Sequence, residues 1–148
     1  MIYICRIFDA EVKKSCWNSR YAIVRSFKKS SNPSLEKFEQ MDVLSPSKEL
    51  FYKYRDLVSR GEWNQEAFDN IYVPEFLRQM HGEAERKALN ELFVRSKTEN
   101  ILLCCFCEDE SECHRSIIAG LLQGAGADVR TASGKDYSKY FAMWKNAR

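Results

Sequence analysis

Apolar and polar residues change their spacing several times along this chain, and each change predicts an element. Ile2 to Phe8 alternates loosely and is rich in β-formers, the signature of a first strand. Asp9 to Arg20 is polar and has no period, so it reads as a loop. Tyr21 to Phe27, YAIVRSF, is a second β-rich run that stops against Lys28, Lys29 and two serines, with Arg25 near its carboxyl end. Ser30 to Pro46 holds two prolines among scattered apolar positions and predicts an irregular loop containing a short helix over Pro33 to Gln40.

The middle of the chain has helical spacing. Ser45 or Ser47 is placed to cap a helix carrying Leu50, Phe51, Tyr54, Leu57 and Val58, with Gly61 just beyond its end. Gln65 to Met80 repeats the pattern through Phe68, Ile71, Tyr72, Phe76 and Leu77, but Pro74 removes a backbone donor and predicts a break or kink. His81 and Gly82 close that segment, where His81 is placed to bind helix-end carbonyls. Glu83 to Lys97 is charged on one side and apolar on the other at Ala84, Ala88, Leu89, Leu92 and Phe93.

A continuous apolar run, Ile101 to Cys107, then predicts a strand buried on both faces, as in a parallel sheet. An acidic loop follows, and a helix from about Cys113 to Gln123 offers Ile117, Ile118, Leu121 and Leu122 to the core before Gly124 and Gly126. Ala127 to Ala132 is a short fourth strand, and Asp136 to Lys145 a final helix whose aromatic residues suit core packing. Strand, helix and strand in this order form a βαβ unit, with a right-handed crossover expected. The expected fold is α/β, a small central mostly parallel sheet of about four strands flanked by helices, in a single domain over 1–148.

Composition changes this picture little. Hydrophobic residues at 45% and charged residues at 30% are globular values, and a net charge of +2 gives no prior for nucleic acid or an anionic membrane. No apolar run approaches the roughly 18 residues of a membrane span. Arg6 and Asp9 come too early for a secretory signal, so a cytoplasmic protein with reduced cysteines is expected. Of the six cysteines, Cys104, Cys105, Cys107 and Cys113 crowd around the acidic loop.

That loop, CEDESECHRS from Cys107 to Ser116, is where chemistry is expected. A helix starting near His114 directs unpaired N–H groups at it, and Arg115 adds donors suited to an anion. Cys107 at the strand tip and Cys113 at the helix start are placed where a thiolate can form, and His114 titrates near neutral pH. The candidate catalytic residues are therefore Cys107, Cys113 and His114, and the candidate substrate-binding residues Arg115, Ser116 and Arg25. Structural alternatives stand beside them: Cys104 and Cys105 as small core residues, and His114 or Arg115 paired with Glu108, Asp109, Glu110 or Glu112.

A strand-end cysteine followed by a helix and an arginine resembles rhodaneses and cysteine phosphatases in architecture, although Cys107 to Arg115 is C-x7-R where those phosphatases keep C-x5-R. More specifically, LLCCFCEDESECHRSIIAGLL resembles the signature of the domain of unknown function 488 family, with Cys113, His114, Arg115 and Ser116 as its motif. CRIFD and YAIVRSF resemble that family's first two strands, where members commonly carry an Asp-Arg pair and this chain keeps Arg25. The resemblance implies an α/β fold and no established reaction. The functional expectation is an anion pocket for a phosphorylated or nucleotide-like ligand at the central strand-helix junction, serving a cysteine- and histidine-dependent enzyme. Metal binding through Cys105, Cys107, Cys113 and His114, or a nucleic-acid- or protein-binding module, stays open, and no cofactor is expected.

Overall fold

A computed structural model of the protein describes residues 1–26 and 35–147. The strands are β1 (Ile2–Arg6), β2 (Ser19–Ala22), β3 (Glu39–Gln40), β4 (Ile101–Cys105) and β5 (Val129–Thr131). All pair in parallel, in the order β3-β2-β4-β1-β5, which confirms the α/β class. One strand exceeds the expected four, because Glu39 and Gln40 extend the sheet edge beside Tyr21 and Ala22 instead of ending a helix. Phe27, Lys28, Lys29 and Pro33 lie outside the described residues.

β2 begins two residues earlier than its hydrophobic pattern suggests and stops at Ala22. Its start is held by pairing: Ser19 and Arg20 lie opposite Ile101 and Leu102. Arg95 adds a clamp, donating to Tyr21 Oη at 2.7 Å and Ser19 Oγ at 2.8 Å. Within the segment expected to be a plain loop, Asp9 caps a 3-10 turn (Ala10–Lys13) by accepting from the Glu11 N–H at 2.9 Å.

Every residue of β4 is buried, as its unbroken apolar run requires of a strand with neighbours on both edges. Its alternation separates two cores. Ile101, Leu103 and Cys105 face the larger one, joined by Ile2 and Ile4, while Leu102 and Cys104 face a smaller one with Cys5, Val12, Trp17, Ala22 and Phe38.

The helices feed the larger core. They are α1 (Lys48–Ser59), α2 (Gln65–Ala67), α3 (Val73–Gln79), α4 (Glu83–Arg95), α5 (His114–Gly124) and α6 (Lys139–Asn146). Ser47 is the cap of α1, accepting from the Leu50 N–H at 3.2 Å. The break or kink expected at Pro74 takes the form of a widening: Phe68–Tyr72 form a π-helical turn between α2 and α3, in which the Val73 N–H reaches the Phe68 carbonyl. The wider turn enters a segment whose second residue, Pro74, has no N–H to give, so the helix continues instead of stopping. It also aligns Phe68, Tyr72 and Phe76 as a stacked ladder, with centroids 5.4 and 6.0 Å apart, whose last ring lies 5.7 Å from His114. His81 binds a helix-end carbonyl as expected, but that of Trp144 in α6, at 2.6 Å, while stacking on the same residue's indole.

α5 and α6 approach closely because two glycines allow it. A methyl group on Gly120 would meet the Tyr137 carbonyl oxygen, and one on Gly124 would meet the Phe141 side chain. The obstacle at Gly120 is backbone, which cannot rotate away, so Gly120→Ala is expected to destabilise the protein by about 1–3 kcal/mol as an overpacked site. Chemical denaturation compared with the wild type checks this, and an unchanged midpoint would show that the helices separate freely.

Candidate functional site

With all strands parallel, their carboxyl ends share one edge of the sheet. β1 leaves towards β2, and its neighbour β4 leaves the opposite way, over β1 towards β5, so the outgoing connections of this adjacent pair diverge at their carboxyl ends. Such a switch point opens a crevice at the strand tip. β2 neighbours β4, with Ala22 opposite Cys104, and Arg25 follows three residues later on the same edge.

The site is built around a sulfur on the strand, Cys105 Sγ. It lies 3.0 Å from Cys113 Sγ and 3.2 Å from Arg115 Nη1. Arg115 Nη1 also donates to the Cys107 carbonyl at 2.6 Å. Cys113 Sγ lies 3.6 Å from His114 Nδ1, and His114 Nε2 lies 2.7 Å from the Ile23 carbonyl oxygen. A carbonyl only accepts, so Nε2 carries the hydrogen and the neutral ring leaves the Nδ1 lone pair facing Cys113. Ser116 is fully buried and donates to the Cys113 carbonyl at 2.8 Å, closing the first turn of α5.

The electrostatics follow from one buried cation. The Arg115 side chain is 2% exposed, keeps its proton at any working pH, and touches no carboxylate among the described residues. A buried charge requires a compensating one, and the ionisable atom in reach is Cys105 Sγ. Hydrogen bonds from Cys107 and Cys113, with the charge of Arg115, hold the Cys105 thiol well below its ordinary value. The donors move the other way: Cys107 is pushed up to about 12 by its hydrogen bond to Cys105, and Cys113 is raised by burial. Burial opposes the charge on Arg115, but attraction to Cys113 and Cys105 prevails and raises it. Burial lowers His114. Cys104 has no part in this, since it faces the smaller core with its sulfur 3.5 Å from Cys5 Sγ.

Above these groups lies a cavity of about 420 Å³, within the ordinary range for small-molecule sites. Cys105, Cys107, Cys113 and His114 line its floor, Phe51, Tyr52, Tyr54 and Tyr72 its wall, and Arg25, Lys48 and Arg55 add positive charge. Arg115 and Ser116 do not line it; they lie beneath, one against the sulfur and one within the helix.

The acidic loop turns most of its charge elsewhere. Glu108 reaches Arg6 at 3.5 Å, Asp109 caps the 3-10 turn Glu110–Glu112 by accepting from the Ser111 N–H at 3.0 Å, and Glu110 accepts from Tyr137 Oη at 2.6 Å. Glu112 faces the cavity, where burial raises its pKa.

The ligand atoms of Cys105, Cys113 and His114 lie within 4.8 Å of one another, so these three residues could hold a metal ion. Arg115 Nη1 at 3.2 Å from the Cys105 sulfur opposes a second cation there.

A family model described as DUF488-N3a, the active DUF488-N3 subclade, matches residues 2–126. The chain belongs to this family. No curated protein and no solved structure shows a significant match to it. In this DUF488-N3a chain the match runs from β1 through α5, so it contains the sheet centre, the loop and the whole Cys-His-Arg-Ser motif. Cys105 lies outside that motif, and sequence reading groups it with Cys104 in the core. The signal that separates them is the two-residue period of the strand, which puts Cys105 on the face of Cys107 and Cys104 on the other.

Two solution properties of the DUF488-N3a site follow. Iodoacetamide is expected to modify Cys105 at neutral pH at a rate that falls only under acid conditions, and Arg115→Met to slow this about tenfold for each unit by which the thiol's pKa rises above the assay pH. Peptide mapping across a pH series checks it; equal rates in both proteins would remove Arg115 as the thiolate's partner. The lowered pKa of buried His114 means that the unfolded chain gains a proton near pH 6.5 while the folded one does not. This contribution to stability is complete above that pH and is lost as pH falls towards the folded value. Denaturation from pH 7.5 to 5 should therefore show a steeper decline for the wild type than for His114→Gln.

Proposed function

We propose that this protein is a thiol-dependent enzyme acting on a small anionic, nucleotide-like ligand, with Cys105 as the nucleophile. The observation that carries this reading is the position of Cys105, beneath a cavity with an aromatic wall and three basic side chains, in contact with a buried guanidinium. A planar base suits the faces of Phe51, Tyr52, Tyr54 and Tyr72, and a phosphate suits Arg25, Lys48 and Arg55. Arg25 is tethered, donating to the Pro46 carbonyl at 3.3 Å, which keeps its guanidinium on the rim. The near-neutral net charge of the chain does not oppose a local basic site.

In this reading the Cys105 thiolate attacks an electrophilic atom of the ligand. Arg115 and the Cys113 thiol steady the anionic sulfur before attack, and Cys107 donates from the same strand face. Cys113 supplies a proton to the leaving group and takes one back from solvent, while the neutral ring of His114, fixed by the Ile23 carbonyl, lies beside that thiol. Arg115 and Ser116 act as positioning residues. Membership of a subclade described as active supports a retained reaction centre.

A metal centre on Cys105, Cys113 and His114 is the second reading, favoured by the closeness of their ligand atoms. Zinc-thiolate bonds of about 2.3 Å in tetrahedral geometry would hold two sulfurs roughly 3.7 Å apart, wider than the 3.0 Å contact here. Elemental analysis of protein purified without chelator separates the readings, because a stoichiometric metal would leave Cys105 no free thiolate.

The test uses nucleoside mono- and diphosphates in calorimetric titrations. Binding is expected, with Arg25→Ala and Arg55→Ala each weakening it at least severalfold and Cys105→Ser leaving it near the wild-type value while abolishing any covalent adduct seen by mass spectrometry. No binding by the wild type at millimolar nucleotide would sink the nucleotide-like ligand. A Cys105→Ser protein that still forms the adduct would sink the nucleophile.

A further inference from the structure

We infer that Cys105 and Cys113 form a reversible disulfide when a hydroperoxide enters the cavity, making the reaction centre an oxidation-sensitive pair with Cys113 as resolving thiol. This inference rests on the reading of Cys105 as the site's reactive sulfur. Its own support is geometric: two sulfurs 3.0 Å apart, carried by separate elements, both lining a cavity wide enough for a small peroxide. Cys5 and Cys104 supply an internal contrast. Their sulfurs lie 3.5 Å apart, but in the smaller core on the other face of the sheet, and neither lines the cavity.

The chemistry balances in two steps. The Cys105 thiolate attacks one peroxide oxygen, the O–O bond breaks, and the other oxygen leaves as an alkoxide that takes up a proton from solvent; sulfur loses two electrons and becomes a sulfenic acid, while the peroxide is reduced to an alcohol or water. The Cys113 sulfur then attacks the sulfenic sulfur, the S–S bond forms, and the S–O bond breaks to release hydroxide. His114 Nδ1, 3.6 Å from Cys113 Sγ, takes the thiol proton and passes it to the hydroxide, which leaves as water. A dithiol reductant reverses the result by thiol-disulfide exchange, forming its own disulfide. The consequence is protection, since capture by a neighbouring thiol ends oxidation before the irreversible sulfinic acid.

The test treats the folded protein with hydrogen peroxide, blocks remaining thiols with iodoacetamide and digests with a glutamyl endopeptidase. Cleavage after Glu108 and Glu112 parts Cys113 from the peptide holding Cys104, Cys105 and Cys107. The expected product is a Cys105–Cys113 cross-linked peptide that dithiothreitol releases, while Cys5 and Cys104 remain alkylated. Cys113→Ser, checked for folding by circular dichroism, should instead carry a dimedone-reactive sulfenic acid on Cys105 and progress to sulfinic acid. Cys107→Ser should keep the cross-link, which also guards the test against a misfolded first variant. A Cys105–Cys107 or Cys5–Cys104 cross-link, or sulfinic acid on Cys105 of the wild type, would overturn the inference. If Cys105 alkylates readily at neutral pH yet never links to Cys113, only this pairing fails. If Cys105 resists both alkylation and peroxide, the nucleophile reading fails with it.

Discussion

The contact between Arg115 and Cys105 sets the terms for everything at the centre of this protein. A guanidinium shut away from water must have an anion beside it, or the fold bears several kcal/mol of uncompensated charge. No carboxylate among the described residues fills that place. Glu108, Asp109 and Glu110 are each engaged elsewhere, and the cation is left with a sulfur at 3.2 Å and a carbonyl at 2.6 Å. The arrangement makes Cys105 acidic and binds the start of α5 to the tip of β4. Packing and the ionisation of this thiol thus share one contact.

Around that pair, packing decides which group can act. The π-helical turn before Pro74 lets the middle helix run on, and its ladder of Phe68, Tyr72 and Phe76 ends against His114. The ring is held from one side by this ladder and from the other by the Ile23 carbonyl, so its tautomer is dictated by the backbone of β2's continuation. The same carboxyl edge brings Arg25 to the rim. A buried neutral histidine with its lone pair on a thiol is a base with a fixed direction, a different object from an exposed histidine in an acidic loop.

Much was legible in the residues. The continuous run ILLCC marked a central parallel strand because a strand with neighbours on both edges cannot show polar alternation, and Cys-His-Arg-Ser marked the start of the helix beside it. The family resemblance read on those motifs is matched over residues 2–126. The junction read as the candidate site carries a cavity lined by Cys107, Cys113 and His114. Less legible was the edge of the sheet, since Glu39 and Gln40 become a strand only by lying beside Tyr21 and Ala22, and two residues carry no period of their own. Pro74 marked the interruption but not its form, for a related reason: proline forbids a hydrogen bond, but whether a helix ends or widens there depends on what packs against it.

By itself, then, the order of residues determined the parallel α/β class, the acidic loop at the strand-helix junction and the four-residue motif at its end, because these depend on local periodicity and on caps within a few positions. Only the tertiary structure decided which sulfur faces which. Cys104 and Cys105 are adjacent in the chain and chemically identical, yet one is packed against Cys5 in the smaller core while the other meets Arg115 and Cys113 under the cavity. The physical reason is that a pleated strand sends neighbouring side chains to opposite faces. What waits on each face is set by segments far away in sequence, the Val12 and Trp17 region on one side and α5 on the other.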